Sequence, residues 1–283
     1  MKNQIEILKK IQELTLTMAE CRAQGDDVHV EELSRKIAAL SAKLDPRIRL
    51  LYQRLSATKP LFMAAMHNGN CSGCGMQVPV AAVRMVRIAE HPVTCTTCGR
   101  LLYENAGTVA VTPARPTASE NDDDCAPKVR GIARFSSEAL MVPNLSAKTA
   151  KAAIAALADR LVKNGYVSNG DDLVRLALER EAVLSTRMDE SAAVPHVRGV
   201  EGGSLVFALG VAPNGIVWDD SGEKVNFVVL SAIPSAGSAF FLKLMADLMA
   251  VFRRKSGRAA LLAAEDPAAL WKALSRATSR VIR

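Results

Sequence analysis

The chain has 283 residues, of which 49% are hydrophobic and only 4% aromatic, and its formal net charge is +7 at pH 7. This length is enough for two modest domains, and the low aromatic content argues against a stacking platform for single-stranded nucleic acid. The charge permits an acidic partner, nucleic acid included, but charges of both signs are spread along the sequence, and a solvated surface explains them better.

The sequence begins with Met1-Lys2-Asn3-Gln4 and continues directly into an amphipathic pattern, so we predict neither a signal peptide nor insertion into a membrane. Four of the six cysteines fall in two close pairs. In a chain without a secretion signal, such pairs indicate metal ligands rather than disulfides. We therefore predict a reducing, cytoplasmic location.

Residues 1–60 are predicted to be helical, because two series of apolar residues recur at every third or fourth position. The series are Ile7, Ile11, Leu14, Met18 and Cys21, and then Val30, Leu33, Ile37, Leu40 and Leu44. Gln24-Gly25-Asp26-Asp27 separates them as a turn, and Asp45-Pro46 is predicted to cap and restart the helix. The prediction is a coiled-coil-like hairpin that either packs on itself or serves as an arm for homodimerisation or partner docking.

Residues 61–112 contain two Cys-x-x-Cys pairs, Cys71 with Cys74 and Cys95 with Cys98. Two such pairs can bring four thiolates into a tetrahedron, the geometry of a structural Zn²⁺ site. A glycine after each pair would let the backbone turn, and nearby arginines would offset the negative charge. These residues are Gly75, Gly99, Arg84, Arg87 and Arg100.

Redox or iron–sulfur use of the four cysteines is one alternative to zinc, although redox-active pairs usually occur singly, and a site without metal is the other. The nearby His67 and His91 are expected to be bystanders, because four cysteines already complete a tetrahedral site.

The segment from Asn68 to Tyr103 resembles the C4-type zinc-ribbon domain that is found after long coiled coils in bacterial proteins. The matching residues are the two cysteine pairs and the residues from Gly99 to Tyr103 that follow the second pair. The helical arm before it also fits. The resemblance implies a small rigid domain that binds protein or nucleic acid, without indicating which.

Residues 113–136 are predicted to be a flexible linker, because prolines and the acidic run from Ser119 to Asp124 leave almost no apolar content. Cys125 lies in this linker and is expected to be incidental. Residues 137–283 alternate helix and strand patterns, which predicts a sheet covered by helices.

Within this third region, Ser146 is predicted to cap a helix that ends at Asn164-Gly165. The other predicted elements are helices over about 170–181 and 236–254, strands at 205–209 and 225–230, and a final helix that begins at Asp266-Pro267. The fold class predicted for the chain is multi-domain α plus α/β, with a helical hairpin, a small zinc ribbon and an α/β sandwich with a mixed sheet.

His196 is the single histidine in the last two thirds of the chain and lies in the apolar run Ala192-Ala193-Val194-Pro195-His196. A neutral imidazole is a nucleophile, and a lone histidine favours a phosphoryl carrier over a multi-histidine metal site. Phosphoryl oxygens need cations and hydrogen-bond donors. The candidates are Arg180, Arg198, Ser185 and Thr186. The alternative is a satisfied structural histidine with ordinary surface arginines.

The stretch from Arg180 to His196 resembles the phosphorylation-site region of phosphotransferase-system IIA domains of the fructose, mannitol and nitrogen-regulatory type, and the similarity extends over about 139–283. By this resemblance His196 accepts phosphate from a small HPr-type carrier, Arg180 lies near the phosphate, and a IIB-type partner receives it. Arg187-Met188-Asp189-Glu190 departs from the small residues that are common in the family. Phe241 stands where some members have a second histidine.

The resemblance implies a phosphocarrier with a regulatory role rather than a direct role in sugar transport, with HPr and a IIB-type or regulatory protein as partners. The alternative is a catalytically silent IIA-like protein that acts as a zinc-ribbon regulator and binds nucleic acid or protein. Because Val194-Pro195-His196 and Arg180 are retained, we favour the phosphocarrier.

Overall fold

A computed structural model of the chain describes residues 1–104, 109–111, 130–188, 191–202, 204–234, 238–279 and 281–282. The chain divides into two compact units, Met1–Ala106 and Gly107–Arg283. Most of the predicted linker, including Cys125, lies outside the described residues.

The first unit opens with three helices, α1 (Lys2–Gln24), α2 (Asp27–Ala42) and α3 (Pro46–Ser56). α1 ends at Gly25, whose φ of 77° lies in the left-handed region that favours glycine. α1 and α2 pack against each other as the predicted hairpin. α3 begins at proline as predicted, but the side chain of Asp45 makes no capping hydrogen bond.

The buried face of α1 differs from the predicted seam. Leu8 and Thr17 are buried, whereas the predicted residues Ile7 and Met18 are only partly buried. The reason is that α1 packs on more than its partner helix, since Leu8 shares a core cluster with Phe62 from the cysteine-bearing part of the unit. A seam drawn for one partner helix does not describe a helix with two sets of neighbours.

The rest of the first unit is a small sheet with one helix. β1 (Met63–His67) pairs antiparallel with β2 (Asn70–Cys71) and parallel with β4 (Leu101–Glu104). β3 (Val93–Thr94) pairs antiparallel with β4, which gives the order β2-β1-β4-β3. α4 (Val80–Ile88) connects β2 to β3.

The described residues of the second unit form a six-stranded mixed sheet. Its strands are β5 (Met141–Val142), β6 (Arg187–Met188), β7 (Ala192–Ala193), β8 (His196–Val200), β9 (Val206–Val217) and β10 (Lys224–Pro234). β10 is central, because it pairs antiparallel with β9 and parallel with both β7 and β8. β5 lies beyond β9, and β6 lies beyond β7.

Five α-helices in the described part of this unit accompany the sheet. They are α5 (Ala150–Lys163), α6 (Gly170–Glu181), α7 (Ser238–Arg253), α8 (Lys255–Leu262) and α9 (Pro267–Thr278). The prediction that Ser146 caps α5 is wrong, because the hydroxyl of Thr149 accepts the hydrogen bond from the backbone N–H of Ala152. None of the helices described in the chain has the length and apolar character needed to cross a bilayer.

The core of the second unit lies between the sheet and its helices. Phe227 of β10 stacks on Phe252 of α7, with ring centroids 4.8 Å apart. Val111 belongs to the same core, and the hydroxyl of Ser136 donates to the carbonyl of Phe207 at 2.8 Å. Residues near both ends of the predicted linker are therefore packed in this unit.

Candidate functional site

The four paired cysteines converge in the first unit. The Sγ atoms of Cys71 and Cys98 lie 3.7 Å apart, those of Cys74 and Cys95 lie 3.8 Å apart, and all four lie within 4.8 Å of one another. Tetrahedral Zn²⁺ with Zn–S bonds of about 2.3 Å places its ligands about 3.8 Å apart. The quartet therefore fits Zn²⁺, and no histidine belongs to this cluster in the part of the chain that the structure describes.

Each cysteine pair lies in a tight turn that ends at a glycine. The backbone N–H of Gly75 donates to the carbonyl of Cys71 at 2.7 Å, and that of Gly99 donates to the carbonyl of Cys95 at 2.8 Å. Both glycines have φ in the left-handed region, at 75° and 71°. A side chain would strain this backbone, which is why glycine suits both positions.

The surroundings of the sulfur atoms have two opposing effects on ionisation of the thiols: burial opposes it, and hydrogen bonds favour it. Burial raises the pKa of Cys71 to about 12, so this thiol keeps its proton near neutral pH unless a cation replaces it. Burial also opposes ionisation of Cys98, but hydrogen bonds from the backbone and side chain of Arg100 lower the pKa of Cys98 to about 6. A bound dication would stabilise all four thiolates.

The cations near the quartet differ in part from those predicted. Arg100 contacts Cys98 as described, whereas Arg87 pairs with Glu104 at 3.2 Å. Lys59, which the spacing of the motif does not indicate, donates to the carbonyl of Cys98.

His196 begins β8 and is only 3% exposed. Its Nδ1 lies 3.0 Å from the carbonyl oxygen of Val194. Because a carbonyl can only accept, Nδ1 carries the hydrogen, and the lone pair of the neutral imidazole is then on Nε2. Val194 is held in turn by donating its N–H to the carbonyl of Thr186 at 3.0 Å.

An aromatic side chain packs on the imidazole. The rings of His196 and Phe241 have centroids 4.8 Å apart and are tilted by 45°. The guanidinium of Arg198, two residues along β8, lies 5.0 Å from the centroid of the same phenyl ring. Phe241 therefore brings the predicted nucleophile and one predicted cation together.

The second predicted cation, Arg180, lies in the last turn of α6 and is 7% exposed. Its Nη1 donates to the carbonyl of Leu184 at 2.9 Å. Because α6 packs against β8, Arg180 lies on a helix that flanks the strand of His196.

The two predicted hydroxyl donors have other partners. Ser185 Oγ donates to a carboxylate oxygen of Asp219 at 2.6 Å, and Thr186 Oγ donates to Glu181 at 2.6 Å. A hydroxyl has one hydrogen, so neither can donate to a phosphoryl group while these bonds last. Glu181 also accepts from the indole N–H of Trp218 at 2.8 Å, and the sequence motif indicates neither this carboxylate nor that of Asp219.

Asp219 lies at the centre of a polar network next to β9. It accepts hydrogen bonds from Ser185, from the hydroxyl of Ser221 at 2.5 Å and from Nε of Arg187 at 3.2 Å. Burial alone would raise its pKa, but these bonds lower the pKa of Asp219 to about 2. The ionised carboxylate anchors the start of the charged 187–190 segment, of which Asp189 and Glu190 lie outside the described residues.

These observations define a two-part protein, with a four-cysteine ribbon in one unit and a mixed-sheet α/β domain with a buried histidine in the other. The family described as phosphoenolpyruvate-dependent sugar phosphotransferase system, EIIA 2, matches residues 134–277, which is half of the chain. The chain belongs to this family. A C4-type zinc ribbon domain matches residues 70–102. No curated protein matches the chain.

Several solved structures are similar to parts of the chain. The nitrogen regulatory protein IIA-Ntr from Neisseria meningitidis is 17% identical, with a TM-score of 0.44, and the match covers 50% of this chain and 96% of that one. IIA mannitol from Escherichia coli is 21% identical, with a TM-score of 0.41, and the match covers 49% of this chain and 97% of that one. CT398 from Chlamydia trachomatis is 26% identical, with a TM-score of 0.27, and the match covers 29% of this chain and 35% of that one.

Loss of one cysteine ligand is expected to release the metal. Cys98→Ser should lower the zinc content of the purified protein from about one per chain to well below one, because a structural site needs four ligands. Elemental analysis measures this. The control is Cys21→Ala, which changes a buried cysteine outside the quartet and should keep its zinc. Full zinc in Cys98→Ser would contradict the assignment.

The network around Asp219 predicts a pH dependence. The pKa of this carboxyl falls from 3.8 to about 2 in the folded protein, so its contribution to stability is present above pH 3.8 and is lost as the pH falls toward about 2. Asp219→Asn should lower the free energy of unfolding by about 1 kcal/mol near neutral pH and should flatten the acid-side decline.

Urea unfolding followed by tryptophan fluorescence measures this effect, because Trp218 and Trp271, the two tryptophans of the chain, both belong to the second unit. The exposed neighbour Asp220 provides the control, and Asp220→Asn should leave both quantities unchanged. Equal effects of the two substitutions would argue against the network.

Proposed function

We propose that the protein is a IIA-type phosphocarrier in which His196 accepts a phosphoryl group from an HPr-type carrier, and a IIB-type or regulatory protein reads or removes it. The observation that carries the proposal is the 3.0 Å hydrogen bond from His196 Nδ1 to the carbonyl of Val194. It leaves on Nε2 the lone pair that a nucleophile needs. Membership of the EIIA 2 family supports the same chemistry.

In the proposed step, the Nε2 lone pair attacks the phosphorus of the carrier's phosphohistidine. The new N–P bond forms as the old one breaks, and the electron pair of the old bond returns to the carrier's imidazole. No proton changes place, because His196 keeps its Nδ1 hydrogen. The carbonyl of Val194 then stabilises the positive charge of a ring substituted on both nitrogens.

Arg180 and Arg198 are the proposed cations for the phosphoryl oxygens, because phosphoryl transfer depends mainly on positioning and charge stabilisation. Arg180 is buried, so its charge acts through a low effective dielectric. Arg198 contacts the same phenyl ring as His196. Ser185 and Thr186 are proposed to hold the local backbone through their carboxylate partners instead of binding phosphate.

Burial of the nucleophile favours a second candidate function. Nε2 of His196 is buried in this conformation, so a phosphoryl donor has to displace a neighbouring group before it can react. In the second candidate this never happens, and a catalytically silent IIA-like domain accompanies a zinc ribbon that binds protein or nucleic acid. Phosphorylation of His196 decides between the two.

A regulatory role is the form of the proposal that we prefer. Four thiolates leave no open position on Zn²⁺, so the proposed metal is structural and the ribbon is a docking domain rather than a second catalytic centre. A phosphoryl group adds a charge of about −1.5 to −2, which is enough to change a docking equilibrium. Homodimerisation through the helical arm and a cytoplasmic location belong to the same proposal.

The phosphocarrier proposal predicts that the full chain becomes labelled when it is incubated with phosphoenolpyruvate, enzyme I and HPr. The phosphate should be acid-labile, since a phosphorus–nitrogen bond holds it, and phosphorus NMR should place it on Nε2. His196→Gln should abolish the label. His91→Gln, which changes an exposed histidine of the first unit, should keep it.

Label that survives in His196→Gln would move the acceptor to another residue. The silent domain would be favoured if HPr carriers from several bacteria leave the protein unlabelled while its tryptophan fluorescence shows that it is folded.

A further inference from the structure

The hydroxyl of Ser231 stands out in the core of the second unit. Ser231 is 0% exposed, and among the described residues its Oγ has no hydrogen-bond partner. Burying a hydroxyl without a partner destabilises a folded protein, so such a group needs an explanation.

Ser231 lies beside the proposed phosphoryl acceptor. Strands β8 and β10 are parallel and pair His196 with Ser231 in register, and the N–H of Ser231 donates to the carbonyl of Pro195 at 3.0 Å. Residues paired in this way lie about 4.8 Å apart and project from the same face of the sheet. The partner of Ser231 on β9 is Phe207, whose side chain offers no polar group.

Contacts with α7 identify this face independently. Phe227, four residues before Ser231 on β10, stacks on Phe252 of α7. Side chains alternate along a strand, so Phe227 and Ser231 share a face. His196 packs on Phe241 of the same helix. The hydroxyl and the imidazole therefore lie together beneath α7.

We infer that Ser231 binds the phosphoryl group of phosphorylated His196, by donating its hydroxyl hydrogen to a phosphoryl oxygen on Nε2. This inference rests on the proposed phosphorylation of His196. A phosphoryl group in a buried site has lost its water and needs donors from the protein. The hydroxyl thus gains in the phosphorylated protein the partner that it lacks before, through a charge-assisted bond.

The test compares wild type, Ser231→Ala and Ser136→Ala as full chains, each with and without phosphorylation. Phosphoramidate serves as a small phosphoryl donor that needs no carrier protein, and His196→Gln identifies the phosphohistidine signal in phosphorus NMR. Ser136→Ala is the matched control, because the Ser136 hydroxyl is also buried but already donates to the carbonyl of Phe207 without phosphorylation.

Ser231→Ala should leave the urea unfolding of the unphosphorylated protein unchanged or shift it to higher urea. In the phosphorylated protein it should lower the folding equilibrium constant about tenfold or more, as expected for loss of a hydrogen bond to a charged group. It should also move the phosphorus resonance. Ser136→Ala should weaken both forms equally and leave the resonance in place.

Equal effects of Ser231→Ala on both forms, with an unmoved resonance, would overturn the role of Ser231 and leave the phosphocarrier proposal standing. Phosphorylation by phosphoramidate but not by HPr would contradict the carrier role alone, and the same samples would still test Ser231. If His196 takes phosphate from neither donor, both proposals are wrong.

Discussion

The hydrogen bond between His196 Nδ1 and the carbonyl of Val194 is the constraint that orients the buried imidazole of the second unit. It spans two residues and is set by the backbone, with Pro195 between them to restrict the chain. The carbonyl of Pro195 accepts from the N–H of Ser231, which ties this corner to the central strand β10. A backbone carbonyl can therefore keep the hydrogen of the imidazole on Nδ1 and its lone pair on Nε2.

This corner is itself held by a chain of hydrogen bonds. The Thr186 carbonyl accepts from Val194, while the N–H and hydroxyl of Thr186 both donate to Glu181, which also accepts from the indole of Trp218. The network thus runs from the end of β9 to the carbonyl that orients His196. Such a network fixes geometry best when each polar group has its partner. Thr186 therefore holds the backbone of Val194 in place, and its hydroxyl hydrogen is already used by Glu181.

The sequence predicted the features that follow local rules. Two Cys-x-x-Cys pairs with glycines after them are enough to predict the metal-ligand quartet, because ligand spacing and backbone turns are set within a few residues. The end of α5 at Asn164-Gly165 and the start of α9 at Pro267 follow equally local signals. The membership of the second unit in the IIA family was accessible in the same way, from one short motif and its flanks.

Other features depend on which strands and helices meet, and the sequence did not indicate them. Thr149 rather than Ser146 caps α5, and Thr149 forms an isolated β-bridge with Val217 of β9, a residue distant in sequence. Lys59 contacts Cys98, although the two residues are 39 positions apart in the sequence. In the sequence, Ser231 is a polar residue that follows an apolar run. Only the register of β10 shows that it pairs with His196.

Phe241 gives the site its particular character. In the position where the resemblance places a second histidine, a phenyl ring can neither accept a phosphoryl group nor titrate. It contacts both His196 and Arg198, so its apolar surface covers part of each side chain. Exclusion of water strengthens the attraction between the guanidinium and a phosphoryl oxygen, and it also keeps away the nucleophile that hydrolyses phosphohistidine. In the proposed phosphocarrier, the same ring would therefore slow hydrolysis of the phosphohistidine, which fits the proposed regulatory role better than rapid transfer to a transporter.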